Sequence, residues 1–148
     1  MEITILEEPA VTNAAAETRA WGRRFAASIA PGDVVALYGT LGAGKTQFVK
    51  GMCEYFGIPE TRVSSPTFTL VNEYMGSAGP IFHFDAYRVE QVSEFFELGY
   101  EDYFYGEGIC LVEWPDRVEA LLPDDAIRLR FTHLGDDRRE IVRVLGCK

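Results

Sequence analysis

The chain has 148 residues, 47% of them hydrophobic, with 14 Lys and Arg against 23 Asp and Glu. That length supplies one domain with one core and is too short for two independent ones. A net charge of −9 repels phosphate backbones on average, which argues against direct, non-specific nucleic-acid binding; any RNA role is expected to run through a protein partner.

The three cysteines, Cys53, Cys110 and Cys147, are an odd number at wide spacings. They form neither a disulfide framework nor a CxxC metal pattern, and are expected as reduced thiols in packing roles. The N-terminal MEITILEEPA is acidic and lacks a basic n-region, and the apolar runs fall short of the ~20 residues that span a bilayer. A soluble, cytoplasmic protein with no membrane partner is expected.

In chain order, residues 3–6 suggest a short first strand, ended by the acidic pair and Pro9. A helix is predicted from about Ala14, with Trp21, Phe25 and Ile29 as its apolar stripe and Pro31 and Gly32 as its stop. Residues 34–38, VVALY, are an almost uninterrupted apolar run of strand length, as expected for a parallel strand covered by helices on both faces. From Lys45, the pattern Phe48, Val49, Met52, Cys53 and Phe56 keeps a helical period until Gly57 and Pro59. Residues 68–74 and 81–84 read as two strands of a hairpin around MGSAGP. Val92, Phe95, Phe96 and Leu98 suggest a short helix ending near Gly99, followed by a buried strand over 109–112. Residues 127–131 and 140–145 read as late strands around the polar LGDDRR turn. No repeat or linker interrupts this pattern. The expected fold is α/β: a single domain with a central mixed sheet, partly parallel, antiparallel at its margins and flanked by helices.

Between the apolar strand and the following helix, residues 39–46 read GTLGAGKT, a complete Walker A loop. Glycines at Gly39, Gly42 and Gly44 let backbone N–H groups converge on phosphates where a side chain would block approach. Lys45 reaches the β- and γ-phosphates, the Thr46 hydroxyl ligates Mg²⁺, and the helix directs its positive end at the same anion. The chain is therefore expected to bind a nucleoside triphosphate with Mg²⁺. Such a loop needs an acidic partner at the end of another strand. Asp85 and Glu113 both stand just beyond apolar strands, and the sequence does not rank them. Ser64, Ser65, Pro66 and Thr67 occupy the place of a nucleotide-sensing loop, or form an ordinary turn. His83 lies two before Asp85 and shares its face; a structural histidine is the plainer reading. Arg88 is a candidate for stabilising charge at the γ-phosphate, or a surface ion-pair partner.

GTLGAGKT, SPTF at 65–68, HFDAYR at 83–88 and LVEW at 111–114 occur in one order, and the chain resembles the TsaE (YjeE) family over nearly its whole length. The resemblance implies a P-loop NTPase fold and a bacterial ATPase needed to make threonylcarbamoyladenosine beside the anticodon of tRNA. It implies that ATP hydrolysis resets a complex of TsaB and TsaD between turnovers, with tRNA engaged only indirectly. By matching motif, Lys45 and the loop amides from Gly39, Gly42, Ala43, Gly44, Thr46 and Gln47 would hold phosphate. Thr46 and Glu113 would hold Mg²⁺, and Asp85 would be the catalytic carboxylate beside Lys45. Trp114 and Asp116 would lie near the base. Gln47 stands where relatives often carry a second threonine, a mild departure because its backbone N–H can still serve the α-phosphate.

Three other readings compete. A small-molecule kinase would share the loop, but there is no arginine-rich lid segment. A GTPase would need an N-K-x-D sequence, which is missing. A nucleotide-gated adaptor would bind ATP without hydrolysing it.

Overall fold

The structure is a computed structural model in which residues 9–39, 44–64, 66 and 70–144 are described. It contains strand β1 (Ala10–Thr12), helix α1 (Ala15–Ala26), strand β2 (Val34–Tyr38) and helix α2 (Lys45–Tyr55). The hairpin β3 (Val71–Gly76) and β4 (Gly79–Asp85) follows, then short helices α3 (Ser93–Leu98) and α4 (Tyr100–Phe104). Strand β5 (Ile109–Glu113), a 3-10 segment (Pro115–Leu121) and strands β6 (Ile127–Gly135) and β7 (Arg138–Val144) complete it.

The strands make one sheet in the order β1-β7-β6-β2-β5-β4-β3. β6, β2, β5 and β4 run parallel at its centre, whereas β7, β1 and β3 join antiparallel. This is the mixed α/β sheet read from the sequence. β2 is apolar at successive positions because both its faces are covered. Val35 and Leu37 join Phe25, Phe48, Met52, Leu111 and Phe131 beneath α1 and α2. Val34 and Ala36 join Phe84, Phe95, Phe104, Val112 and Val118 on the opposite face.

The two long helices pack backbone to backbone. A Cβ on Gly22 would stand 2.2 Å from the Phe48 carbonyl oxygen, and one on Gly51 would stand 1.9 Å from that of Arg19. This close contact fixes α2 against α1, while Phe48 and Met52 of α2 share a core with Val35 and Leu37 of β2. Among the described residues, no helix is long and apolar enough to cross a membrane.

One expectation falls outside the described residues, and others are corrected. The strand over residues 3–6 lies outside the described residues; the first described strand instead starts at Ala10, directly after the Pro9 expected to terminate one, and pairs with β7. α1 ends at Ala26, ahead of Pro31 and Gly32, because Ala27, Ser28 and Ile29 donate three residues back and the Ser28 hydroxyl also bonds the Phe25 carbonyl at 2.8 Å. Such bonds tighten and close a last turn. Ile29 is nonetheless buried, so the stripe identifies the core better than the helix end. The first hairpin strand, expected over 68–74, is described from Val71 and extends to Gly76, with residues 67–69 outside the described set; the second, expected over 81–84, spans Gly79–Asp85. α4 and the Pro115–Leu121 segment were not anticipated; Gly99, at φ 81°, ends α3 and opens α4 in one left-handed step.

Candidate nucleotide site

β2 delivers Gly39 at φ 143°, and Gly44, at φ 97°, opens α2. Both conformations lie in the region that favours glycine. Gly42 and Ala43 lie outside the described residues, as do Ser65 and Thr67. Among the described residues, no side-chain hydrogen bond caps the start of α2, and its first turn holds no acidic residue. Its leading amides and dipole therefore present the chemistry that suits an anion.

Lys45 is the first residue of α2 and is 4% exposed. Its Nζ donates to the Gly39 carbonyl at 2.5 Å and lies 3.8 Å from the centroid of the Trp114 ring. Burial pulls its pKa down, and the negative charges of Glu113, Asp85 and Asp116 pull it back up. Those three are the acids singled out in the sequence, and all act on one ammonium group.

Asp85 and Glu113 end the adjacent parallel strands β4 and β5 and are paired in register, while Leu37 of β2 pairs with Glu113 on its other side. Parallel direction brings both carboxylates and Gly39 to the carboxyl end of the sheet, the end at which α/β folds bind ligands. Asp85 accepts the Tyr87 N–H at 2.9 Å through Oδ1. Burial raises its pKa, the Glu113 charge adds to that, and the Tyr87 bond, His83 and Lys45 oppose it.

Glu113 is buried, and its Oε2 accepts from His83 Nε2 at 2.6 Å. His83 is fully buried, with Nδ1 3.2 Å from the Tyr74 hydroxyl. That hydroxyl donates to the Ser64 carbonyl at 2.9 Å and lies 3.2 Å from the Ser64 N–H. The histidine is thus structural in its burial but bonded directly to a site carboxylate. Its two-residue offset from Asp85 was the available signal; Tyr74 gave none, because its place depends on the hairpin register.

Trp114 takes φ 57°, an uncommon conformation for a bulky residue. Its ring packs at 4.8 Å from that of Tyr87. Beside it lies a cavity of about 390 Å³ lined by Tyr38, Gly39, Trp114, Asp116, Arg130 and His133, among others. Arg130 and His133 were missed by sequence reasoning, since nothing in β6 marks them apart from surface residues. Thr46 is half-buried in the first turn of α2. The Gln47 side chain is engaged by α1, accepting from Arg19 Nε at 3.3 Å and Nη2 at 3.2 Å, which leaves its backbone as the group of interest. Arg88 is exposed.

The structure brings Gly39, Gly44, Lys45, Asp85, Glu113, Trp114 and Asp116 to one end of the sheet. Among the described residues, no group of three or more His, Cys, Asp or Glu side chains converges on a metal position. Hydroxyl and carboxylate oxygens of the Thr46 and Glu113 kind are hard donors that suit magnesium, which takes few protein ligands and completes its shell from phosphate and water. The donor chemistry fits that ion.

A mixed sheet flanked by helices, with a glycine-bearing strand-to-helix junction, a buried lysine and strand-end acids at one end, defines a single α/β domain. The family model described as threonylcarbamoyl adenosine biosynthesis protein TsaE matches residues 12–141. The tRNA threonylcarbamoyladenosine biosynthesis protein TsaE of Bacillus subtilis is 47% identical over 125 residues, covering 84% of this chain and 77% of that protein. The protein of the same name from Treponema pallidum is 40% identical over 131 residues, covering 88% and 96%. The crystal structure of Bacillus subtilis YdiB superimposes with a TM-score of 0.77 at 38% identity, covering 95% of this chain and 86% of that one. The chain belongs to the TsaE family.

Proposed function

We propose that this chain is a magnesium-dependent ATPase subunit that supports threonylcarbamoyladenosine modification of tRNA by driving a TsaB and TsaD complex through its cycle. The observation that carries the reading is the buried Lys45 ammonium, placed at the start of α2 amid Asp85, Glu113 and Asp116. A buried cation beside a helix N-terminus is suited to a polyphosphate.

In this reading, Lys45 and the backbone amides of Gly39 to Gln47 hold the phosphates. Thr46 and Glu113 hold Mg²⁺, whose charge offsets that of the β- and γ-phosphates when bound. Asp85 accepts a hydrogen bond from the attacking water and orients it; a raised carboxylate pKa strengthens it as a base. Trp114 offers a face for the adenine, and Asp116 borders the adjoining cavity of about 390 Å³. The charge of −9 supports docking on protein with tRNA engaged only through those partners; the place of action in this reading is the cytoplasm.

The test is ATP hydrolysis by the purified chain with and without TsaB, TsaD and tRNA. Slow turnover alone and faster turnover with the partners is the expected result, with free phosphate as the product. A rate unaffected by the partners would overturn the reading, and labelled γ-phosphate on a metabolite would point to a kinase.

A further inference from the structure

We infer that His83 is the positioning residue for the Glu113 carboxylate, and that Tyr74 holds the His83 ring in the plane this requires. The inference deepens the proposed site and rests on that reading, in which Glu113 is a magnesium ligand.

A histidine in the sheet interior loses hydration at both ring nitrogens, a cost recovered only if both find partners. An apolar residue would fill the same space beneath α2 without that cost. Here both nitrogens have a partner within hydrogen-bond distance, and on one line: Ser64 backbone, Tyr74 hydroxyl, His83 ring, Glu113 Oε2. Tyr74 and His83 come from the two paired strands of the hairpin, where Tyr74 opposes Ile81 and His83 opposes Asn72. They are therefore diagonal neighbours fixed by backbone pairing. Ser64 grips the Tyr74 oxygen from two sides, with its carbonyl at 2.9 Å and its N–H at 3.2 Å.

Glu113 has rotatable bonds between its backbone and carboxylate, so β5 alone does not set where its oxygens point. The 2.6 Å bond to His83 pins Oε2 and thereby sets the position of the other oxygen. Burial of Glu113 and His83 keeps this bond strong by excluding water. Partners that orient a metal ligand are typically worth about 10- to 100-fold in metal affinity.

The experiment is calorimetric titration of the full chain with ATP, in magnesium and in EDTA, for the wild type and for H83L, H83Q and Y74F. For H83L, the affinity gained from magnesium should fall about tenfold or more, with the affinity in EDTA held within about twofold. H83Q, whose amide N–H reaches toward the position of Nε2, should recover most of the gain, and Y74F should lie between H83L and the wild type. An unchanged magnesium gain in H83L, or an equal loss in magnesium and EDTA, overturns the inference. Should H83L fail to fold, Y74F decides: a magnesium gain equal to that of the wild type overturns it. ATP binding by the wild type that is indifferent to magnesium would instead overturn the nucleotide-site reading, and this inference with it.

Discussion

The Lys45 ammonium nitrogen lies 3.8 Å from the centroid of the Trp114 ring while donating to the Gly39 carbonyl. Both contacts partner a buried cation: one through the negative face of the indole, the other through a carbonyl dipole. A phosphate at this position would compete with both for the same three donor hydrogens.

Indole emission should therefore report nucleotide binding. In a Trp21→Phe background, which leaves Trp114 as the sole tryptophan, ATP with magnesium is expected to shift the intensity of Trp114 fluorescence. Lys45→Met should abolish that response and weaken ATP affinity about 10- to 100-fold, the usual worth of a hydrogen bond to a charged group. Titration calorimetry of the same variant gives the affinity directly.

Asp85 predicts a pH-dependent stability. Its folded-state pKa is raised, first by burial and then by Glu113 on β5, against the Tyr87 N–H, His83 on its own strand and Lys45 on α2. A raised value means that ionisation costs more in the fold than in the unfolded chain, so this group's contribution is fully present below the unfolded Asp value of about 3.9 and is lost as pH rises through the folded value. Asp85→Asn keeps an oxygen for the Tyr87 N–H and removes the charge. Scanning calorimetry should show a Tm a few degrees above wild type at pH 7.5 and a smaller difference near pH 4. A difference independent of pH would contradict the assignment.

The α1 to α2 contact gives a purely structural prediction. Gly51→Ala places a methyl group 1.9 Å from the Arg19 carbonyl oxygen, and backbone on both sides must move. Overpacking of this kind typically costs about 1–3 kcal/mol, readable as a lower urea midpoint with an unchanged slope. ATP affinity should fall too, because α2 carries Lys45 and Thr46 at its start.

Cys53 and Cys110 are both fully buried, and burial pushes their thiols up to about 12. Thiolate is the reactive form. Iodoacetamide at pH 8 should leave both unmodified in the native protein and label both after denaturation, as mass spectrometry of the digest will show. Native-state labelling of Cys110 would mean that β5 opens far more often than a central strand should.

Legibility in the sequence followed the range of the interaction. β2, α2 and β5 were readable because their apolar pattern is dictated by local burial, and the order of Gly39, Lys45, Asp85 and Glu113 was readable because each follows such a run. The end of α1 was not, since Ser28 closes it by a side-chain bond to the Phe25 carbonyl before the proline is reached. The line from Ser64 to Glu113 was equally hidden. It depends on which residue of β3 opposes which residue of β4, and on β5 lying beside β4, none of which leaves a mark in composition or spacing. Arg130 and His133 enter the cavity beside Trp114 only because β6 pairs with β2.

The strand order also has a practical side. β1 and β7 are neighbours, with Ala10 opposite Ile141, so the start and finish of the described chain meet at the border farthest from the hairpin. Joining them would need only a short tether, and new termini could be opened in the turn at Ser77 and Ala78. A circular permutant made this way would keep every parallel strand pair.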